Sequence, residues 1–192
     1  MMLPMVWNLP NLLTATRIFL IPVFVALAYL PGASGQLLSA IFFSIAALTD
    51  WADGYIARRD GLLTPFGKFF DPVADKLLVI SALILLVAQG QAPLALVLLI
   101  TAREITITGL REYMSGIGSS VPVSGIGKWK TGFQMAAIIM LLLQDGLFGL
   151  PLGILGLLSL YICVVLTWWS GYLYLAQAWP VIRTSILTQQ HS

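Results

Sequence analysis

The stretch Asp50 to Lys76, DWADGYIARRDGLLTPFGKFFDPVADK, decides how this chain is read. The whole sequence has ten basic and eight acidic residues, and nine of those eighteen fall here: Asp50, Asp53, Arg58, Arg59, Asp60, Lys68, Asp71, Asp75 and Lys76. Long apolar runs flank the stretch on both sides. Asp50 and Asp53 are spaced i, i+3 and Asp71 and Asp75 are spaced i, i+4, so each pair points from one face of its own helix.

Composition sets the class. A hydrophobic share of 59% and a charged share of 9%, against about 25% charged residues in a soluble domain, exclude an ordinary soluble protein. The mean hydropathy is +0.93. The pattern predicts an all-α, polytopic membrane protein with six transmembrane helices, at roughly 12–30, 36–57, 70–89, 93–114, 127–145 and 151–178, each near the ~20 residues that cross a bilayer. Residues 1–10, with Pro4, Trp7 and Pro10, read as a short interfacial segment before the first span. No polar block is large enough to fold separately, so residues 1–192 read as a single membrane domain. The first residues, MMLPMVWNLPNLL, lack a basic n-region and an A-x-A site, and are not read as a cleaved signal.

The net charge of +2 is too small to argue for nucleic acid. The one cysteine, Cys163, lies in an apolar run, which excludes an intrachain disulfide and suggests a buried packing residue. The one histidine, His191, sits in the tail, so histidine metal sites and histidine general-base chemistry are not expected.

Charge divides the connectors into two kinds. PGASGQ (31–36), AQGQAP (88–93) and QDGLFGLP (144–151) carry Asp145 alone. Arg58, Arg59 and Lys68, then Arg103, Arg111, Lys128 and Lys130, and Arg183 in the tail, fall on the alternate side. The positive-inside rule places that side, with both termini, in the cytoplasm, as for a multi-pass protein of the cell's inner membrane. Trp179 and Tyr174 fit an interfacial aromatic anchor near the end of the last span.

Four carboxylates inside spans cost about 2.5–3.5 kcal/mol each at the bilayer centre and repel one another unless something neutralises them. Divalent cations would do so, and an all-oxygen set suits Mg²⁺ or Mn²⁺, with two ions bridged by four carboxylates. Other roles stay open residue by residue. Asp71 before Pro72 fits a helix N-cap. Asp50 or Asp53 could pair with Arg58 or Lys76, and Gly54 could be a helix-packing contact.

The order Asp50-x-x-Asp53-Gly54-x-x-Ala57-Arg58, then eight residues to Gly67, three to Asp71 and three to Asp75, resembles the complete signature of the CDP-alcohol phosphatidyltransferases. It fixes eight residues over 26 positions and is far more specific than an aspartate pair. The resemblance implies transfer of a phosphatidyl group from a CDP-linked lipid to an alcohol, with release of CMP. It implies that Asp50, Asp53, Asp71 and Asp75 hold two metal ions, and that Asp75 is also the general base. Gly54, Ala57, Arg58 and Gly67, with Thr64, would line the cytidine diphosphate site of CDP-diacylglycerol.

Asn11-x-x-Thr14-x-x-Arg17 resembles the family's entry to the first span, so Asn11 and Thr14 would touch the nucleotide; helix capping by Asn11 and snorkelling by Arg17 are the alternatives. Arg103-Glu104-Ile105, Leu110-Arg111-Glu112, Val123-Ser124 and Gly127-Lys128-x-Lys130-Thr131-x-x-Gln134 resemble the branch whose acceptor is glycerol 3-phosphate. Arg103, Arg111, Lys128 and Lys130 would bind its phosphate, unless they are positive-inside charges or are neutralised by Glu104 or Glu112. The same chemistry on inositol phosphate, serine or a phospholipid is the nearest rival, ahead of a membrane prenyltransferase or a cation transporter. Similar proteins are commonly homodimers, so a homodimer is expected.

Overall fold

A computed structural model of the chain describes the backbone of residues 9–60, 65–119, 125–144 and 149–189, and side chains within 15–49, 73–119, 125–144 and 149–183. It is all-helical among those residues. The helices are α1 (Leu9–Leu27), α2 (Ala33–Asp60), α3 (Pro65–Ala88), α4 (Leu94–Gly116), α5 (Gly125–Leu143) and α6 (Leu152–Gln189). Each overlaps one of the six predicted apolar runs, and α2 contains its run whole. By length and composition Leu152–Arg183 can cross a membrane, while Ala15–Leu27 and Ala33–Thr49 are shorter apolar helical segments.

The helix ends are local chemistry. After α3, Gly90 takes φ +71, Gly90 N–H donates to Val87 O at 3.0 Å and Gln91 N–H to Leu86 O at 2.8 Å. After α4, Gly118 takes φ +72, with Gly118 N–H on Ser115 O at 3.0 Å and Ser119 N–H on Met114 O at 2.9 Å. Both are Schellman caps, in which a left-handed glycine turns two donors back onto the last carbonyls. Pro65 opens α3, where its missing N–H costs no helical bond.

The chain forms two compact units, Met1–Ala92 with Ile138–Gly156, and Pro93–Ala137 with Leu157–Ser192. In the first, α1, α2 and α3 pack on one another. Phe24 and Phe43 meet edge to face at 5.8 Å between centroids, and both are fully buried with Leu78, Leu83 and Leu86. A polar cavity of about 270 Å³ in this unit is lined by Gln36, Gln89, Gln91, Gln144 and Ser39 among others, with no charged side chain. Gln36 Nε2 donates to Gln144 Oε1 at 3.0 Å and Gln89 Nε2 to the Ala28 carbonyl at 2.9 Å. Along α2, Gln36 is some 25 Å from the level of Asp53, at 1.5 Å per residue.

In the second unit, α6 buries Leu160, Cys163, Thr167, Ser170, Tyr174 and Ala178. They recur every three or four residues, so they form one stripe. Four of the six are small, which lets neighbouring backbones approach as they do where lipid supplies no hydrophobic drive between helices. The opposite stripe carries Tyr161, Val165, Trp168, Tyr172 and Trp179, all exposed.

Several expectations change. The connector expected over 58–69 shrinks, because α2 runs to Asp60 and α3 starts at Pro65; charged helix ends had read as loop. Asp71 therefore lies inside α3 and does not cap it. Asn11 lies inside the first turn of α1, past the capping position. Arg17 is fully buried, so it does not snorkel. Tyr174 is 6% exposed, packed with Ile107, Met114 and Ala178, and is no surface anchor; Trp179 is 64% exposed. Arg183 belongs to α6 rather than to a tail. Cys163 is a buried free thiol, as expected. Residues 1–8 and His191 lie outside the described residues.

Gly156 tests the close approach of α6 to α5 within the first unit. A Cβ there would stand 2.8 Å from Leu141 Cγ and 3.2 Å from its backbone nitrogen. Gly156→Ala is expected to destabilise the detergent-solubilised protein by about 1–3 kcal/mol through overpacking. Gly132→Ala, whose methyl would meet nothing within 4 Å, is expected to leave the thermal unfolding midpoint unchanged.

Candidate active site

The four aspartates lie on the two helices joined through residues 61–64, with Asp50 and Asp53 on α2 and Asp71 and Asp75 on α3. Counting back from the helix ends at 1.5 Å per residue, Asp53 and Asp71 lie about 9–10 Å from the connection, and Asp50 and Asp75 each about 15 Å. Because α2 and α3 pack together, the two pairs occupy matching levels of one hairpin. That match, together with an all-carboxylate donor set, fits divalent metal ions.

The carboxyl group of Asp75 is the one of the four with a described side chain, 28% exposed, and its Oδ2 is 3.2 Å from Lys76 Nζ. A partly exposed pair of adjacent residues contributes little to stability. The side chains of Asp50, Asp53, Asp71, Gly54, Ala57, Arg58, Gly67, Asn11 and Thr14, and the whole of Thr64, lie outside the described residues.

The cations are better defined. Arg103 and Glu104 on α4 and Lys130 on α5 form one buried cluster, with side chains 11%, 4% and 7% exposed. Glu104 Oε1 accepts from Arg103 Nη1 at 3.0 Å and also from Lys130 Nζ in a short contact. Arg103 Nη2 donates to Ser170 Oγ on α6 at 2.7 Å, and Ser170 Oγ donates to the Thr167 carbonyl at 3.1 Å. The next residue, Gly171, leaves room for the guanidinium, since a Cβ would stand 3.0 Å from Arg103 Nε. Cys163 Sγ lies 3.8 Å from the Lys130 carbonyl. Two buried donors, Arg103 Nε and Gln134 Nε2, have no hydrogen-bond partner among the described residues.

Of the four cations expected to bind an acceptor phosphate, the structure thus brings Arg103 and Lys130 to one carboxylate oxygen. Arg111 and Lys128 are exposed and stand outside that cluster. The Arg111 guanidinium lies over the Tyr174 ring at 5.6 Å, a cation–π contact within one unit. The alternative that Glu104 neutralises Arg103 holds geometrically, with Lys130 as a second partner.

Sequence reasoning missed Ser170 and Gly171 as the seat for Arg103. Glu104 had a signal, because it falls on the apolar stripe Val97, Ile100, Ile107, Met114 that α4 buries.

A family model for CDP-alcohol phosphatidyltransferase matches residues 7–169. The chain belongs to this family. Among its relatives in the family, the CDP-diacylglycerol–glycerol-3-phosphate 3-phosphatidyltransferase of Bacillus subtilis is 42% identical over 191 residues, covering 93% of this chain and 99% of the relative. The protein of that name from Pseudomonas fluorescens is 44% identical over 182 residues, covering 92% and 93%, and that from Salmonella typhimurium is 44% identical over 181 residues, covering 91% and 96%.

Cys163 provides a check on the second unit. Being 0% exposed, it is expected to resist a membrane-permeant maleimide in the folded protein and to label stoichiometrically after denaturation. Rapid labelling of the native protein would contradict the packing of α6 described above.

Proposed function

We propose that this protein transfers the phosphatidyl group of CDP-diacylglycerol to glycerol 3-phosphate, giving phosphatidylglycerophosphate and CMP. The observation that carries the reading is the likeness to transferases of that name along nine-tenths of the chain and of each relative. Arg103 and Lys130 set two cations against the one carboxylate of Glu104, and that surplus positive charge supports an anionic acceptor.

Asp50, Asp53, Asp71 and Asp75 would hold two Mg²⁺ or Mn²⁺ ions. When bound, such ions polarise a phosphoryl group and offset charge on the entering and leaving oxygens. The chain's own residues do the rest. Asp75 accepts the proton of the acceptor hydroxyl as its oxygen bonds to the phosphorus that bears diacylglycerol. The bond from that phosphorus to the CMP oxygen breaks, and CMP leaves with the electron pair. Asn11, Thr14, Gly54, Ala57, Arg58, Thr64 and Gly67 position the CDP-lipid, and Arg103, Arg111, Lys128 and Lys130 bind the acceptor's phosphate. Catalysis here is positioning and electrostatics, with no covalent enzyme intermediate.

The setting we infer is one six-span domain over residues 1–192 in the inner membrane, as a homodimer, with active site and termini in the cytoplasm. The charge-free glutamine cavity at one end of α2 and the charge-rich Asp50–Asp60 end at the other support that polarity.

The test is CMP release by purified protein from CDP-diacylglycerol, Mg²⁺ and a panel of acceptors. Release with glycerol 3-phosphate is expected; release only with serine, inositol phosphate or a phospholipid would move the protein to another branch. Asp75→Asn is expected to abolish turnover while CDP-diacylglycerol still binds, and Asp50→Asn to weaken activation by metal as well. Near-native rates in both would refute the assignment. Arg111→Ala is expected to raise the KM for glycerol 3-phosphate with little change for the CDP-lipid.

A further inference from the structure

We propose that Glu104 and Ser170 are positioning residues for the acceptor's phosphate, holding Arg103 and Lys130 in the arrangement that receives it. The inference rests on the acceptor reading above and adds to it two residues that do not themselves touch substrate.

The geometry begins with one oxygen. Glu104 Oε1 accepts one hydrogen bond from a guanidinium on its own helix and another from an ammonium on α5. Two buried cations repel each other, and a carboxylate between them offsets that repulsion and fixes their separation. Ser170 acts on the other side of Arg103. Its hydroxyl accepts from Nη2 at 2.7 Å while its own proton is committed to the Thr167 carbonyl, so the acceptor lone pair faces the arginine. Arg103 is thus held at Nη1 by α4 and at Nη2 by α6, which sets the plane of the guanidinium. Its Nε stays buried without a partner among the described residues.

Stability alone does not explain the cluster. Buried ion pairs are commonly matched or exceeded in stability by apolar residues of similar volume, and α4 buries apolar residues at the neighbouring stripe positions Ile100 and Ile107. What charged residues provide here is cations at defined positions. Lysine in particular carries a flexible stem with about 2 kcal/mol of rotamer entropy, so a lysine that must meet a phosphate gains from being held in place beforehand.

The experiment uses full-length protein in lipid nanodiscs, with CMP release measured at saturating CDP-diacylglycerol and Mg²⁺ and varied glycerol 3-phosphate. Glu104→Gln keeps the shape and an acceptor oxygen but removes the charge. It is expected to raise the KM for glycerol 3-phosphate about tenfold or more, the scale of a lost charge-assisted hydrogen bond, and to leave the KM for CDP-diacylglycerol within about twofold. Glu104→Asp is expected to recover part of the loss. Ser170→Ala is expected to raise the same KM by a smaller factor.

Maleimide labelling of Cys163 reports whether each variant keeps its packing. If Glu104→Gln exposes Cys163, Ser170→Ala decides: a selective rise in the glycerol 3-phosphate KM supports the proposal and an unchanged KM overturns it. Arg103→Lys separates the two levels of inference. A raised acceptor KM in Arg103→Lys, with Glu104→Gln and Ser170→Ala unchanged and well packed, overturns the positioning role and leaves the acceptor reading standing. An unchanged KM in all three overturns both. A fall in kcat alone, with both KM values unmoved, also overturns the proposal.

Discussion

An ionised side chain inside an apolar helical protein must meet opposite charge or hydrogen-bonding groups, and this constraint shapes the described parts of the chain. Glu104 is the clearest instance, 3% exposed with two cations on a single oxygen. Removing either partner class would leave charge buried without compensation, a change that typically costs about 3–5 kcal/mol. Replacing the whole cluster by apolar residues would not carry that cost. The cluster is therefore a commitment of the sequence to charge at that place, made where packing alone would favour leucine. Arg17, fully buried in the other unit, belongs to the same class of residue.

Holding such charges requires helices that approach closely, which is where the small residues of α6 matter. Thr167, Ser170 and Gly171 lie on its buried face, and between them they supply a carbonyl, a hydroxyl and an empty Cβ position. A leucine at Gly171 would fill the space that Arg103 occupies, and one at Ser170 would remove its hydrogen bond. Cys163 extends the same face, with its thiol beside the Lys130 carbonyl. The seam that looks like generic small-residue packing in the sequence thus also accommodates the polar cluster, and one stripe of α6 serves both purposes.

The six helices were legible because apolar runs and glycine-rich connectors are strong signals. The connector beyond Arg58 was not. Hydropathy reports where side chains can meet lipid, whereas backbone helicity continues through Ala57-Arg58-Arg59-Asp60 and resumes at Pro65 because none of those residues opposes it. The capping alternative for Asp71 fails for the same reason, since Asp-Pro is a capping signal only where no helix precedes it. In the site, residue types that carry chemistry were visible from spacing and charge, and Arg103 and Lys130 were named on that basis. Their common partner was less visible, since a glutamate beside an arginine on a helix normally points elsewhere. Nothing in the sequence set Ser170 apart from other serines, because its role depends on how α6 packs against α4.

Asp75 and the Arg103–Glu104–Lys130 cluster differ in exposure. Asp75 stands half-exposed at 28%, while Glu104, Arg103 and Lys130 lie between 4% and 11%. In the proposed roles, carboxylates that would hold exchangeable divalent ions have to remain reachable by hydrated metal, and an ion, if bound, would organise its own ligands. Cations that would grip a phosphate, as proposed for Arg103 and Lys130, have no such organiser, so their order would come from the protein beforehand, by burial and by fixed acceptors. A short connector and matched helical levels suffice for the first requirement. The second needs a carboxylate, a hydroxyl and a glycine drawn from separate turns and helices, which is why the aspartates read as a linear motif while the setting of Arg103 becomes apparent only in three dimensions.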